Sequence, residues 1–439
     1  MRKYITHPLT IFIVAIHAIY FLIAFKIGNF YLVDSYGYLN QVKNMLEHQS
    51  WYAEDWNAPV LIDYFTIRPP LYALFILVCK SIFASDIFVL FVQNLLSIFN
   101  LFLLWKMLDN FGVKQKIISI SLITAMLLFP SQFIHANFVM SEILFQTLLM
   151  LIFWFTVKVM QSKKIIDVLL VSVFICLAMI TKPVAIFFGL VLFIFYISIF
   201  WKQNKKIAIP FLLIPVTYHL MCLQNQHVTG LYHFSSSKTI VDVRVNVRTI
   251  LAIKYGQDSS DKYITALNNQ ASKFENYKAR TAFIEKNVYE VYQKNKVTFF
   301  LLYVKGMLGT LLDPGRFDLS VFFNLQNASA NGILFKTAES GFAAIPQILK
   351  STPPQLLIFL LIILLWNIVL VFSIFHFMFN KSIAFYMRIL VLLFISYMVV
   401  TTGISGVCRY RVPIFPEIIF AFTVAVSQLV HFFQKRTHA

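Results

Sequence analysis

The sequence predicts an all-α integral membrane protein with about ten transmembrane helices. Of its 439 residues, 59% are hydrophobic and only 13% are charged, which is about half the charged share of an average soluble protein. So few charges would leave much of a water-exposed surface without polar cover. Apolar runs of about 20 residues, the length that crosses a bilayer as a helix, recur along the chain. Lysines cluster in alternate connectors between these runs, which is typical of cytoplasmic loops.

Ten apolar segments are long enough to be predicted as spans. The predicted spans are residues 8–27, 87–106, 117–135, 140–160, 165–182, 184–201, 207–223, 355–379, 385–402 and 412–433. The chain accordingly divides into an N-terminal membrane core (1–223), an outer region (224–354) and C-terminal membrane helices (355–439).

The positions of the lysines predict the orientation in the membrane. The connectors near Lys114, Lys163 and Lys205 are lysine-rich, and Lys435-Arg436 follow the last predicted span. Lysine-rich loops stay on the cytoplasmic side. Both termini are therefore predicted to be cytoplasmic, in a multi-pass protein of the plasma (inner) membrane.

Two shorter apolar stretches are predicted to be juxtamembrane or re-entrant helices on the outer side. Residues 70–84 number only about 15, too few for a span, and a span there would place the lysine-rich connector 106–116 outside. Residues 298–312 receive the same interpretation. The two stretches belong to two long extracytoplasmic segments, residues 28–86 and residues 224–354.

The charge and cysteine content exclude other classes of protein. The chain has 37 Lys and Arg against 19 Asp and Glu, a formal net charge of +18. Many of these cations lie in pairs between apolar runs and form no single patch, so a nucleic-acid partner is not expected. The cysteines are scattered singly, without the spacing of a zinc site or a disulfide framework: Cys79, Cys176, Cys222 and Cys408.

Asp34, the first acidic residue of the chain, follows the outer end of the first predicted span. Asp34 and Tyr38 are four residues apart and therefore share one face of a helix. The functional interpretation is a pair of site residues at the outer membrane surface. The structural alternative is a helix cap, because Asp34 or Ser35 could serve as the N-cap of a helix over 36–48.

Arg68 and Glu142 are the next candidates along the chain. Arg68 precedes Pro69-Pro70, which forces an extended entry into a helix, and its planar fork of donors suits a phosphate. Glu142 opens the predicted span 140–160, where an acid is costly unless it is paired, hydrated or functional. The alternatives are a headgroup contact for Arg68 and a favourable helix N-terminus for Glu142.

Three further cations lie on the predicted outer side, against the positive-inside pattern. Lys182 lies between two spans, and Arg409 and Arg411 flank Tyr410 before the last span. Two arginines with an interleaved tyrosine are suited to hold a phosphate diester near the headgroup plane. The alternatives are snorkelling of Lys182 and binding of anionic lipid by the arginines.

Taken together, these residues place two acids and several cations on one side of the membrane. These are the groups that a reaction on a lipid-linked, phosphate-containing substrate outside the cytoplasm requires. A glycine-rich phosphate-binding loop is absent from the sequence, so no nucleotide is expected.

In this order of motifs the sequence resembles the bacterial polyprenyl-phosphate-dependent glycosyltransferases of the GT-C fold. This superfamily includes the protein O-mannosyltransferases (glycosyltransferase family 39) and the lipid A aminoarabinose transferase. The resemblance covers most of the chain, and the predicted seven spans before the second outer segment are similar to the family's membrane core. Its motifs are Asp34 with Tyr38, Arg68-Pro69-Pro70-Leu71-Tyr72, Ser141-Glu142, Thr181-Lys182-Pro183 and Arg409-Tyr410-Arg411-Val412-Pro413.

The resemblance implies transfer of a sugar from polyprenyl phosphate to an extracytoplasmic acceptor, which is a lipid-linked glycan, lipid A or a protein. It implies that Asp34 is the catalytic base, that Arg68 meets the donor phosphate, and that Glu142 helps form the acceptor site or a site adjacent to a metal. Arg68, Arg409, Arg411 and Lys182 are expected to stabilise the leaving phosphate. Glu142 is the second catalytic candidate after Asp34.

The sequence departs from the family in two respects. Asp34 is followed by Ser35, so the first outer segment has one acid at this position and not two in a row. No long soluble domain follows the last predicted span. The cofactor therefore stays open, with a divalent metal ion as the candidate. Two alternative functions also stay open, a polymerase or ligase of lipid-linked oligosaccharides and a non-enzymatic lipid-glycan flippase or transporter.

Overall fold

The computed structural model describes residues 6–201, 205–325, 346 and 352–437, with side chains up to residue 434. Across these residues the protein is all-α and contains no β-strand, which confirms the predicted class. Residues 326–345 and 347–351 of the predicted outer segment 224–354, and the side chains of Lys435 and Arg436, lie outside the described part.

The described residues form nineteen α-helices, numbered here in chain order. They are α1 (Pro8–Ile27), α2 (Val33–His48), α3 (Leu71–Ile82), α4 (Asp86–Asn110), α5 (Gln115–Leu128), α6 (Ser131–Ala136), α7 (Glu142–Ser162), α8 (Ile165–Met179), α9 (Ile186–Phe200), α10 (Leu213–Thr229), α11 (Ser237–Val241), α12 (Arg248–Tyr255), α13 (Gln257–Ala271), α14 (Tyr277–Lys294), α15 (Lys296–Leu312), α16 (Arg316–Phe322), α17 (Pro354–Phe379), α18 (Phe385–Thr401) and α19 (Phe415–Thr437). Short 3₁₀ helices cover Ile62–Phe65, Pro183–Ala185, Lys205–Leu212, Gly403–Ser405 and Cys408–Ile414, and a π-helix covers Asp242–Val247.

Seven of the described helical segments are long and apolar enough to cross a membrane, which supports a multi-pass membrane protein. They are Pro8–Ile27, Asp86–Asn110, Glu142–Ser162, Pro183–Phe200, Lys205–Thr229, Pro354–Phe379 and Cys408–Gln434. An eighth crossing is possible if α15 and α16, which meet at an angle of 58°, form one broken span. The predicted number was about ten.

The difference in number comes from three predicted spans that form shorter helices. The predicted span 117–135 is interrupted at Pro130, which ends α5 at Leu128 and separates it from α6, because proline cannot continue a helical hydrogen-bond ladder. Helix α8 has 15 residues and α18 has 17. At 1.5 Å per residue they are shorter than the roughly 30 Å hydrocarbon layer, so a full crossing by these three segments stays a prediction.

The two apolar stretches predicted to lie at the outer surface form helices of different lengths. Residues 70–84 contain α3, which has only 12 residues and is too short to span. Residues 298–312 lie in the 17-residue α15, and the turn Asp313-Pro314-Gly315 separates α15 from α16. The bend fits either a re-entrant loop or a broken span, so the prediction for this stretch stays open.

The connector at Lys114 and the connector at Ser382 both contact the C-terminal half of α19, at one end of the helix bundle. Lys114 donates to the side chain of Gln434 over 3.3 Å, and Gln428 donates to Ser382 over 2.9 Å. Arg409 lies at the opposite end of the same last segment. The lysine-rich connector before α5 is therefore separated from the candidate site residue by the length of a span, and which end faces the cytoplasm stays a prediction.

The interior of the bundle contains a connected network of neutral polar side chains. His17 of α1 lies 2.8 Å from Ser97 of α4, and Gln132 of α6 donates to Ser97 over 2.9 Å. Gln132 and Gln146 exchange two hydrogen bonds of 2.8 Å. Gln146 also donates to the carbonyl of Val412 over 2.5 Å. The network therefore fixes the 3₁₀ helix Cys408–Ile414, at the start of the last span, against α7.

The region after α10 has a small hydrophobic core of its own. Helices α12 to α15 and the π-helix contribute its buried residues, among them Val247, Ile250, Leu267, Ile284 and Val288. This region belongs to the predicted outer segment 224–354, and it contacts the predicted outer segment 28–86.

Candidate functional site

Asp34 lies in the first turn of α2 and does not cap that helix. Leu32 occupies the N-cap position, and the hydroxyl of Ser35 accepts a hydrogen bond from the Leu32 amide over 2.9 Å. The carboxylate of Asp34 is therefore free of the backbone, and it contacts two guanidinium groups instead.

Arg68 is the first of these two partners. Its Nη2 atom donates to Asp34 Oδ1 over 2.9 Å, and its guanidinium carbon lies 4.5 Å from the centre of the Tyr38 ring. Gly37 permits this approach, because a Cβ atom at that position would lie 2.5 Å from Nε of Arg68. The predicted pair of Asp34 and Tyr38 on one helix face thus holds the arginine from two sides.

Arg409 is the second partner and bridges the two acids. Its Nη1 atom lies 2.8 Å from Asp34 Oδ2, and its Nε atom donates to Glu142 Oε1 over 2.5 Å. Arg409 lies in the 3₁₀ helix Cys408–Ile414 at the start of the last span, and Glu142 opens α7. This one side chain therefore joins three distant parts of the chain.

Lys182 completes the arrangement. It follows α8 and its Nζ atom donates to Glu142 Oε1 over 2.9 Å. It therefore pairs with a buried acid and does not snorkel away from the protein. Ser141, next to Glu142, lies 3.0 Å from the hydroxyl of Tyr38, which ties this half of the site to α2.

We call these five charged residues, Asp34, Arg68, Glu142, Lys182 and Arg409, the charged cluster. Three cations face two acids, which leaves one positive charge in excess. Glu142 is completely buried, whereas 22% of the Arg409 side chain and 36% of the Asp34 side chain are exposed. The cluster is thus buried on the Glu142 side and open on the Asp34 side, where a further anion can reach the arginines.

The arginines change the basicity of Asp34. Burial would raise the pKa of Asp34, but the charges of Arg409 and Arg68 and their hydrogen bonds to it outweigh burial and lower this pKa to about 2. A carboxylate with so low a pKa is a weak proton acceptor at neutral pH. An anion that draws one of the arginines away from Asp34 would raise this pKa again.

Arg411 and Tyr410, predicted to bind substrate with Arg409, do not enter the charged cluster. Arg411 is 2% exposed, donates to the carbonyls of Leu311 and Asp313, the latter over 3.0 Å, and lies 4.7 Å from the centre of the Phe129 ring. Tyr410 has its ring centre 6.0 Å from the guanidinium carbon of Arg409. Tyr410 thus lies at the edge of the charged cluster, whereas the side chain of Arg411 points into the protein interior.

A second group of ionisable residues, which the sequence did not indicate, lies beside Arg411. The amide of Cys408 donates to Asp313 Oδ2 over 3.0 Å, and its thiol lies 3.2 Å from Asp318 Oδ2. His135 Nε2 lies 3.0 Å from the same oxygen of Asp318. We call Asp313, Asp318, His135, Cys408 and Arg411 the buried cluster.

The described residues contain no group of three or more His, Cys, Asp or Glu side chains arranged to hold a metal ion. In the charged cluster each acid already has two cationic partners. A divalent ion would have to displace at least one of them to bind there, so metal dependence stays open.

An apolar groove opens on the outside of the bundle between α8, α9 and α10. Its volume is about 560 Å³, and residues of α8, α9 and α10 line it together with the 3₁₀ helix before α10. Phe187, Leu190 and Ile209 line the groove and are exposed. Met179, at the end of α8, also lines it and lies three residues before Lys182. The groove is thus suited to an aliphatic chain that lies against the protein.

Sequence reasoning missed Gly37, His135 and Asp318. Gly37 had a usable signal, because a glycine inside an amphipathic helix costs about 1 kcal/mol relative to alanine and so calls for a reason. His135 and Asp318 are 183 positions apart and belong to short helices, so no local pattern relates them.

Comparison with known proteins adds no relative from which a function can be carried over. No family model matches the chain, and no curated protein matches it. The charged cluster and the apolar groove are therefore the features from which a function is inferred.

Proposed function

We propose that this protein is a membrane glycosyltransferase that moves a sugar from a polyprenyl-phosphate donor to an extracytoplasmic acceptor. The acceptor is a lipid-linked glycan, lipid A or a protein. The observation that carries the proposal is the meeting of Asp34, Arg68 and Arg409 in one partly exposed cluster. Glu142 and Lys182 support it, because they hold Arg409 in place and add a third cation.

The donor phosphate binds to Arg68 and Arg409. Guanidinium groups bind phosphate oxygens through two parallel donors, and both side chains are partly exposed at 16% and 22%. Lys182 adds a point charge near Glu142. The excess positive charge of the cluster favours an anionic ligand at its open side.

Binding of the phosphate also prepares Asp34 for proton transfer. The phosphate oxygens compete with the Asp34 carboxylate for the two guanidinium groups. As those ion pairs weaken, the charges that depress the pKa of Asp34 move away from it, and the carboxylate becomes a stronger base. Asp34 is thus activated only in the presence of the donor.

The transfer step then needs one base and several cations. The acceptor hydroxyl or amine attacks the anomeric carbon of the donor sugar, and its proton passes to Asp34. The bond between the anomeric carbon and the phosphate oxygen breaks, and polyprenyl phosphate leaves with the bonding electrons. Arg68, Arg409 and Lys182 stabilise the charge on this leaving group.

The apolar groove accommodates part of the polyprenyl chain. It opens sideways along α9 and α10, and its lining is almost entirely apolar. A lipid lying there would have its phosphate near Lys182, three residues beyond Met179. Lateral entry from the bilayer suits a donor that never leaves the membrane.

The reaction takes place on the extracytoplasmic side of the plasma (inner) membrane. The support is the separation of the charged cluster from the lysine-rich connector at Lys114, which lies at the other end of the bundle. Lysine-rich connectors are retained in the cytoplasm, so the charged cluster faces outward and both termini face inward.

A lipid-glycan transporter is the second candidate, because the bundle interior is unusually polar. Besides the network around Gln132 and Gln146, Glu417 of α19 is completely buried and neither of its carboxylate oxygens has a hydrogen-bond partner. Ionisable groups within spans often mark transport pathways. The network itself is internally hydrogen-bonded, which makes it a better packing element than a pathway.

The experiment is a transfer assay with the purified protein in liposomes. Polyprenyl phosphates carrying different hexoses and aminopentoses are supplied with lipid and peptide acceptors, and release of polyprenyl phosphate is followed by thin-layer chromatography. The proposal predicts release with at least one donor. Release of polyprenyl diphosphate from a lipid-linked oligosaccharide would indicate a polymerase or ligase. Movement of intact donor across the bilayer without release would indicate the transporter.

A further inference from the structure

Asp63 joins the two outer segments of the protein at one point. It lies in the 3₁₀ helix Ile62–Phe65, and its carboxylate accepts hydrogen bonds from Tyr277 over 2.7 Å and from Arg280 over 2.8 Å. The exposed fractions are 15% for the Asp63 side chain and 24% for that of Arg280. We call Asp63, Tyr277 and Arg280 the outer latch.

Additional contacts reinforce the latch along the same short segment. Ser236 donates to the carbonyl of Asp63 over 2.6 Å, and Ser235 donates to the carbonyl of Ile67 over 3.1 Å. The hydroxyl of Thr66 lies 2.9 Å from His233. Residues 63–67 are therefore bound mainly by side chains that come from the second outer segment.

These contacts end one residue before Arg68 of the charged cluster. On its other side, the carbonyl of Arg68 accepts a hydrogen bond from the Gln41 amide over 3.0 Å. The amide of Leu71 donates to the carbonyl of Ile180 over 2.9 Å, two residues before Lys182. The backbone that carries Arg68 is thus held between α2, the end of α8 and the second outer segment.

The second outer segment provides a rigid support for the backbone that carries Arg68. Tyr277 and Arg280 lie in the first turn of α14, and Ile284 and Val288 of the same helix are buried in the small outer core. A side chain fixed on a helix with its own hydrophobic core can hold a loop in one position. The backbone from which the flexible side chain of Arg68 extends is then fixed in position.

We propose that Tyr277 and Arg280 are positioning residues that act through Asp63 to hold Arg68 against Asp34. The inference rests on the proposed function, in which Arg68 binds the donor phosphate. A displacement of about 1 Å at a reacting group can reduce a rate by as much as 10²-fold. The outer region therefore takes part in the reaction through the latch, although none of its latch residues touches the charged cluster.

The structural half of the inference is tested by hydrogen–deuterium exchange on the full-length protein in detergent. Asp63→Asn and Arg280→Gln are expected to speed exchange at the Thr66 amide, which donates to the Asp63 carbonyl over 3.2 Å. The matched control is Arg248→Gln, which breaks the more exposed pair of Arg248 with Asp261 in the same outer region. It should leave residues 62–70 unchanged.

The double variant provides a check against general unfolding. Asp63→Asn and Arg280→Gln remove the same ion pair, so together they should speed exchange no more than the stronger single variant does. Tyr277→Phe, which removes one neutral donor, should give a smaller increase. Additive effects, or faster exchange throughout the outer core, would overturn the latch as a local device.

The functional half is tested by binding of polyprenyl phosphate, which does not depend on turnover. We expect Arg280→Gln to weaken this binding about tenfold, within the limit set by misplacement of a binding group, and Arg248→Gln to leave it unchanged. Faster local exchange with unchanged binding would overturn the positioning role. Failure of the wild-type protein to transfer sugar, with the latch effects intact, would instead remove the proposed function and leave the latch standing.

Discussion

The charged cluster and the buried cluster are built from similar residues, yet they differ in what their arginines contact. Arg409 pairs with the carboxylates of Asp34 and Glu142 and is 22% exposed. Arg411, two residues later, donates to the main-chain carbonyls of Leu311 and Asp313 and is 2% exposed. Because Arg409 is partly exposed and pairs with side chains, it is able to exchange partners. Arg411 is buried and holds α15 and the following turn in place.

The reason for the difference is the local backbone. Residues Cys408–Ile414 form a 3₁₀ helix, in which three residues make one turn. Residues two positions apart therefore point about 120° away from each other, so Arg409 and Arg411 cannot share one face. The prediction that both arginines bind the same phosphate is therefore not supported, because it requires them to lie on one face of this helix.

The largest effect that the comparison predicts is the loss of transfer in Asp34→Asn. The amide keeps the shape of the side chain but cannot accept the acceptor's proton, and loss of a positioned base costs about 10²–10⁴ in rate. The measurement is sugar transfer from polyprenyl phosphate by purified protein in liposomes. The matched control is Asp55→Asn, since Asp55 is exposed in the same outer segment and contacts only neighbouring residues.

A well-folded Asp34→Asn variant with nearly normal transfer would remove Asp34 from the mechanism. Glu142 would be a poor replacement, because it is completely buried between Lys182 and Arg409. The charged cluster would then be a structural ion-pair network, as the buried cluster is.

The second prediction separates the two arginines. Arg409→Gln should weaken binding of polyprenyl phosphate by about 10- to 100-fold, because a charge-assisted hydrogen bond is worth about 1.5–3 kcal/mol. Arg411→Gln should leave that binding unchanged and lower the free energy of unfolding by about 1–3 kcal/mol, since the carbonyls of Leu311 and Asp313 lose a charged donor. Binding and thermal unfolding in detergent measure the two effects.

Reciprocal results would contradict the separation. If Arg411→Gln weakened donor binding at unchanged thermal stability, the phosphate would have to lie on the buried side of the 3₁₀ helix. If Arg409→Gln unfolded the protein and left binding intact, the charged cluster would be architectural.

The sequence was sufficient for the all-α class and for seven of the spans, and it named all five residues of the charged cluster. Hydropathy identifies long apolar helices, because a helix in lipid has to form all its backbone hydrogen bonds within itself. Charged residues at the ends of these helices interrupt the apolar pattern and are therefore easy to identify. The break at Pro130 was overlooked because hydropathy averages over a proline. The pairing of His135 with Asp318 could not be predicted, since it depends on how α6 and α16 pack and not on any local spacing.

The third prediction concerns the room beside Arg68. Gly37→Ala should stabilise α2, because alanine is favoured over glycine in a helix by about 1 kcal/mol. The added Cβ would lie 2.5 Å from Nε of Arg68, so the guanidinium has to move away from Asp34 and Tyr38. We expect a stable protein whose affinity for polyprenyl phosphate is about threefold to tenfold lower, an effect smaller than removal of a whole charged contact.

Two other outcomes would be informative for Gly37→Ala. Unchanged donor affinity would mean that Arg68 binds phosphate from a position other than the one seen against Tyr38. A loss of stability would mean that the arginine cannot move, and that the charged cluster is as tightly packed as the buried one.

The smallest predicted effect is a pH dependence of stability that belongs to Asp34 alone. Arg409 and Arg68 lower the folded-state pKa of this carboxyl from 3.8 to about 2, although burial acts in the opposite direction. A group whose pKa is lowered on folding stabilises the protein above its unfolded pKa, and this contribution is lost as the pH falls through the folded pKa.

The difference in thermal midpoint between the wild type and Asp34→Asn should therefore stay constant from pH 7 to about pH 4 and vanish towards pH 2. Solvent screening keeps it small, because Asp34 is 36% exposed. A difference that already shrinks between pH 6 and pH 4 would mean that burial outweighs the two arginines, and that Asp34 is a ready base without any donor.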